Sequence, residues 1–247
     1  MNLTFNEVPN HKGIVVISHG MGEHQGLYKD VCLKLNEKGY STAIYDLFGH
    51  GSNHPNHPLK SYRIYVDELD QAVNEVRKHH KKVFLIGFSL GAMITNLYLV
   101  DHKNVSGAIV LSGKTKPINS IILPGLLFRN KKLKLNYSDP KKRHEVDLSL
   151  NCDPVVLKEV NYQMLYQTLY QGLKKLSRSI KTITTPLLIQ HGGSDEIVDS
   201  VESIQFYERL KSKKQIIIYP NSKHDLLFDV DKELVINDLV SFMDYTE

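Results

Sequence analysis

Gly87-Phe88-Ser89-Leu90-Gly91 is the stretch on which the fold turns. It follows Lys82-Val83-Phe84-Leu85-Ile86, an apolar run that reads as a buried strand, and opens into Ala92-Met93-Ile94-Thr95-Asn96-Leu97-Tyr98-Leu99, which reads as a helix. A serine between two glycines at a strand-to-helix turn has a physical purpose. The turn is tight enough to strain the serine backbone, and its neighbours must lack side chains. The strain aims the hydroxyl outward at the N-terminus of the next helix, where backbone N–H groups can hold a developing negative charge.

A serine alcohol is a poor nucleophile without a base, and the base needs a group to orient it. Downstream, Pro186-Leu187-Leu188-Ile189-Gln190 reads as a strand that runs into His191-Gly192-Gly193-Ser194-Asp195-Glu196. Gln215-Ile216-Ile217-Ile218-Tyr219 reads as another, followed by Pro220-Asn221-Ser222-Lys223-His224-Asp225. Ser89, Asp195 and His224 therefore all fall just past the C-terminal ends of apolar strands, where ligands collect in open parallel sheets. Asp199, four residues after Asp195, is a competing acid. Asp225 reads as solvated or capping, and His191 as a structural hydrogen-bonding residue. His79-His80 reads as a solvated helix end.

Working outward, strands are expected at Gly13–Ser18, Thr42–Tyr45, Val83–Phe88, Ala108–Leu111, Leu187–Gln190 and Gln215–Tyr219, with a short one at about Asn2–Val8. Helices are expected at Tyr28–Lys38, Tyr62–His79, Leu90–Val100, Val201–Leu210 and Lys232–Tyr245. Unbroken apolar strands alternating with helices imply an α/β fold with a mostly parallel, doubly wound sheet. The alternation fails between about Gly113 and Thr185, a stretch too long to be a loop. The expected division is a core of residues 1–113 and 181–247 with an inserted helical cap at 114–180. Within the cap, Ile118–Phe128 is an apolar run that can pack on the core, line a pocket or touch a lipid surface.

The 247 residues suit one domain with an insertion, and 41% apolar with 23% charged content is ordinary for a globular chain. No apolar run reaches the ~20 residues that span a bilayer, and the first residues lack a basic segment followed by an apolar one. Cys32 and Cys152 have no metal-ligand spacing and read as free thiols, so the cytoplasm is the expected location. Residues 114–180 hold 13 Lys and Arg against 5 Asp and Glu, while the remainder holds 18 against 22. This basic cap reads first as a solvated face, then as a surface attracted to anionic lipid. Nucleic-acid binding is not expected, because no nucleic-acid module accompanies the charge. His50, His54 and His57 cluster in a loop rich in proline and asparagine, but no carboxylate completes a ligand set, so no metal is expected.

Several motifs in order resemble the α/β-hydrolase fold, and within it the monoglyceride lipase and lysophospholipase-like serine hydrolases. His19-Gly20-Met21-Gly22-Glu23-His24 with Tyr28 resembles the H-G-x-G-E-H…Y loop of that group, and Asp46-Leu47-Phe48-Gly49-His50-Gly51-Ser52 its D-x-x-G-H-G-x-S loop. The resemblance covers residue 12 to the C-terminus, more weakly across the cap. Two departures stand out: only 11 residues precede Lys12, which abbreviates the first edge of the sheet, and Phe88 stands where related lipases carry histidine. The resemblance implies acyl transfer to Ser89 and then to water, with His224 as base and Asp195 as its orienting acid. It implies an oxyanion hole from the Met21 and Leu90 N–H groups, with His19 and His24 organising that loop and Glu23 a buried ion-pair partner there. No cofactor is expected. The expected activity is carboxylic-ester hydrolysis on small acyl esters such as monoacylglycerols. A histidine base titrates near pH ~6.5, so activity should fall on acidification. A short-chain or aromatic ester esterase or a thioesterase is the alternative, and outside enzymes a non-catalytic binder of small apolar ligands.

Overall fold

The computed structural model describes residues 2–53, 58–145, 147 and 149–246. His54 and His57 of the histidine cluster lie outside the described residues.

The expected strands form one seven-stranded sheet. In chain order its strands are β1 (Leu3–Asn6), β2 (Gly13–Ser18), β3 (Tyr40–Tyr45), β4 (Val83–Phe88), β5 (Gly107–Leu111), β8 (Leu187–Gly192) and β9 (Lys214–Tyr219). Across the sheet the order is β1-β3-β2-β4-β5-β8-β9. All pairings are parallel except β1 with β3. Among the described residues, the first edge is the short strand β1, antiparallel to β3.

Side-chain alternation assigns the two faces. Ile14, Val16, Val83 and Leu85 enter one core layer, while their neighbours Val15, Ile17, Phe84 and Ile86 enter the other. Because each strand is apolar on both faces, each face needs a helical cover. Helices α2 (Arg63–Arg77), α3 (Leu90–Asp101) and α8 (Ser200–Arg209) supply Leu69, Ile94 and Phe206 to the first layer. Helices α1 (Lys29–Glu37) and α9 (Lys232–Asp244) supply Leu35 and Leu239 to the second. Each such side chain is fully buried or nearly so, worth about 1.5–3 kcal/mol in apolar transfer.

The chain runs from β2 outward to β3, then crosses back to place β4 on the other side of β2. The loops after β2 and β4 therefore diverge, leaving a crevice at the C-terminal ends of the strands. The loop after β2 carries Met21, and the turn after β4 carries Ser89.

Between β5 and β8 the chain builds the cap. It contains α4 (Ile122–Leu127), β6 (Lys132–Lys134), α5 (Ser149–Cys152), β7 (Glu159–Asn161), α6 (Tyr162–Leu165), a π-helical segment Tyr166–Gly172 and α7 (Leu173–Ser179). The expectation of a helical cap is met only in part, because β6 and β7 pair as an antiparallel ribbon. Three-residue strands give too short an alternation to register as a pattern in the sequence.

Candidate active site

The elbow is built by close approach. Ser89 has φ 52° and ψ −107°, in the left-handed region that a side chain rarely occupies. A Cβ on Gly91 would lie 1.9 Å from the Ser18 carbonyl oxygen, and one on Gly87 would lie 2.3 Å from the Gly91 oxygen. Only glycine fits at either position. Ser89 N–H donates to the Leu111 carbonyl at 2.9 Å, which ties the turn to β5.

The structure brings Ser89, Asp195 and His224 together. Ser89 Oγ lies 3.0 Å from His224 Nε2, and His224 Nδ1 lies 2.8 Å from Asp195 Oδ2. Asp195 is an acceptor when ionised, so Nδ1 carries the proton and Nε2 is free to accept from the serine. Asp195 Oδ1 accepts from the Ile197 and Val198 N–H groups at 2.8 and 2.9 Å. Burial pushes the Asp195 carboxyl up, but the hydrogen bonds from His191 and His224 and the imidazole's charge outweigh it. The group is held well below the usual carboxylate range. Asp199, the competing acid, instead caps α8 by accepting from Val201 N–H at 2.9 Å.

Met21 and Leu90 border the same cavity as Ser89 and His224, a space of about 350 Å³. Leu90 is the first residue of α3, so no preceding turn takes its N–H. Among the described residues, the Met21 N–H enters none of the loop's backbone hydrogen bonds. Apolar walls come from Phe88 and Met93 of the core and from Leu169 and Leu173 of the cap. Phe88, the departure noted above, is 2% exposed, with its ring 5.4 Å from that of His224.

His19 and His24 brace the loop after β2 in different ways. His19 is fully buried; its Nδ1–H donates to the Gly20 carbonyl at 2.8 Å, and Nε2 accepts from Leu47 N–H at 3.1 Å. Burial pulls its pKa down to about 4, so it is neutral at pH 7. His24 accepts from Gly26 N–H at Nδ1 and donates from Nε2 to Asp153 of the cap at 3.0 Å. Asp46 of the second loop accepts from Gln25 N–H at 2.8 Å and Ser52 N–H at 2.7 Å, linking the two loops.

Four expectations need correction. Glu23 is buried as expected, but its partners are the Tyr28 hydroxyl at 2.6 Å and the Gly20 N–H at 2.8 Å rather than a cation. Burial, with the Asp225 carboxylate nearby, raises its pKa. Asp225 is not solvated: it is 3% exposed and lies 3.2 Å from the Arg143 guanidinium of the cap. Burial raises its pKa too. His80 is not a solvated helix end: it is 7% exposed, and its Nδ1 meets His11 Nε2 at 3.1 Å. Nor is the basic cap simply a solvated face. Lys114, Lys141, Arg143 and Lys175 pair with Glu202, Glu196, Asp225 and Asp101 of the core.

Among the described residues, no group of three or more His, Cys, Asp and Glu is placed to hold a metal ion, and no helix is long and apolar enough to cross a membrane.

The chain is 28% identical over 235 residues to the monoglyceride lipase homolog of Monkeypox virus, covering 90% of this chain and 84% of that protein. It is 26% identical over 247 residues to the monoacylglycerol lipase of Mycolicibacterium smegmatis, covering 94% and 88%. In fold it is similar to the monoacylglycerol lipase of Paleococcus ferrophilus, with a TM-score of 0.86 at 22% identity over 98% of this chain and 97% of that one. The monoglyceride lipase of Saccharomyces cerevisiae gives a TM-score of 0.85 at 21% identity over 99% and 92%. Matched over residues 9–231, the chain belongs to the hydrolase family described as serine aminopeptidase, S33.

Proposed function

We propose that the protein hydrolyses acyl esters of the monoacylglycerol type through an acyl-enzyme on Ser89. The observation that carries this reading is the hydrogen-bonded series Ser89–His224–Asp195 at the edge of an apolar cavity. His224 Nε2 takes the serine proton as Oγ attacks the ester carbonyl, then returns it to the leaving alcohol. Asp195 keeps Nδ1 protonated and stabilises the imidazolium. The Met21 and Leu90 N–H groups receive the oxyanion, and losing one such donor costs ~10²–10³ in rate. Water then attacks the acyl-enzyme with His224 again as base. Met93, Leu169 and Leu173 give the acyl chain an apolar wall, and Glu23, Asp225, Lys114 and Lys142 are the charged groups bordering the same cavity. The monoglyceride lipase homolog of Monkeypox virus and the monoacylglycerol lipase of Mycolicibacterium smegmatis support the substrate class.

Residues 114–180 act in this reading as a cap that docks on anionic lipid surfaces. Leu123, Leu127 and Phe128 are 63%, 64% and 55% exposed, and Arg129, Lys131, Lys132 and Lys134 follow them on the surface. Such a surface pairs apolar insertion with attraction to anionic headgroups. Cys32 and Cys152 are both free thiols, which supports a cytoplasmic location.

The test is direct. Ser89→Ala should abolish turnover of p-nitrophenyl esters and monoacylglycerols while keeping the wild-type melt, and a fluorophosphonate should label Ser89 in the wild type. Undiminished turnover by that variant refutes the reading. Turnover on anionic vesicles should fall as salt rises; salt-independent turnover refutes the docking.

A further inference from the structure

His191, one residue before the end of β8, is aimed at the same carboxylate that His224 uses. Its ring is completely buried. Nε2 lies 3.0 Å from Asp195 Oδ2 and 2.9 Å from the Val198 carbonyl oxygen. A carbonyl oxygen only accepts, so Nε2 carries a proton and donates. On the opposite side, Nδ1 lies 2.7 Å from Ser203 Oγ of α8 and takes that hydroxyl's hydrogen. The surroundings thus select one neutral tautomer. Asp195 Oδ2 receives two imidazole N–H groups, from His191 and His224, while Oδ1 receives two backbone N–H groups. The carboxylate cannot turn without breaking one of the four.

We propose that His191 is a positioning residue for the reaction: by donating from Nε2 to Asp195 Oδ2, it keeps the acid ionised and fixes the corner that directs His224 Nε2 at Ser89. The proposal rests on the hydrolase reading above. A carboxylate oxygen that already accepts one strong hydrogen bond is a weaker base toward a second donor. With His191 present, Asp195 stabilises imidazolium at His224 less strongly, so the base remains unprotonated at lower pH. Without His191 the carboxylate is more basic, and His224 becomes easier to protonate. The other charged groups facing this assembly among the described residues are Asp225 on the His224 loop, Lys114, Lys142 and Arg143 from the cap, and Glu23 from the loop after β2. All of them stay in place in the variants below.

Two substitutions separate positioning from simple packing. Glutamine places its amide nitrogen near the site of Nε2 and can still donate to Asp195. Asparagine places its amide near the site of Nδ1, reaching Ser203 but not Asp195. We expect His191→Asn to move the acidic limb of kcat/KM upward by about half a pH unit or more and to lower kcat about tenfold with KM unchanged. His191→Gln should keep both near wild type. Equal acidic limbs in all three proteins, or equal losses in both variants, overturn the proposal. Should either variant fail to fold, nitrogen NMR of the wild type decides. The neutral His191 ring must carry its proton at Nε2 and none at Nδ1; an Nδ1–H tautomer overturns the proposal. Fluorophosphonate labelling of wild-type Ser89 tests the hydrolase reading separately, so the failure of one does not pass for failure of the other.

Discussion

The left-handed backbone of Ser89 is a local cost, of order 1–3 kcal/mol for a residue so placed, and the residues around it hold it there. The tightest constraint is Gly91 against the Ser18 carbonyl. A methyl group at Gly91 meets backbone, which cannot swing aside as a side chain can. Gly91→Ala should therefore lose more than about 3 kcal/mol in a urea melt, together with turnover; a wild-type melting curve would show slack in the elbow. The sequence let Ser89, Asp195 and His224 be placed in one site because all three follow parallel strands, and parallel strands end at one edge. It could not place Asp225 correctly, and it gave Glu23 the wrong partner. Whether a carboxylate is buried depends on what packs over it, and for Asp225 that is Arg143, contributed from the cap.

At the scale of elements, the segment from Asp139 to His144 fastens the cap onto the loop that presents His224. Asp225 N–H donates to the Lys142 carbonyl at 2.8 Å, Lys223 Nζ to the Pro140 carbonyl at 2.7 Å, and His144 N–H to Asp229 at 2.9 Å. The Arg143–Asp225 pair is largely buried, with side chains 11% and 5% exposed. Removing one partner of such a pair leaves an uncompensated charge and costs about 3–5 kcal/mol. Arg143→Ala should lower stability accordingly, and Arg143→Ala with Asp225→Ala should recover much of the loss in a double-mutant cycle. Additive losses would mean that the two groups do not stabilise each other. The strands of the core were legible because their apolar runs are long. The cap's ribbon was not, because it is held by two three-residue strands and by contacts made at a distance.

For the whole molecule, the basic cap and mildly acidic core are two halves of one clasp, with part of the cap's charge left over for its outer face. The buried carboxyls also set a pH dependence. Glu23 has a raised pKa when folded, so the native state holds its proton more tightly than the unfolded chain does. That contribution is full below the unfolded value of ~4.3 and is lost as pH rises through the folded value. Glu23→Gln removes the penalty of ionisation. Its melting temperature relative to wild type should therefore improve as pH rises above ~4.3, and a constant difference would show that folding does not raise the pKa of Glu23. Asp195 acts in the opposite sense: its contribution is present above ~3.9 and fades on strong acidification. The cap is joined to both halves of the reaction site, to the loop after β2 through His24–Asp153 and Leu157–Gly22, and to the His224 loop through Arg143. Swapping this insertion for that of another hydrolase, in order to retune selectivity, would unfasten the loop after β2 and the His224 loop together. A working chimera has to carry the anchoring residues across along with the new roof.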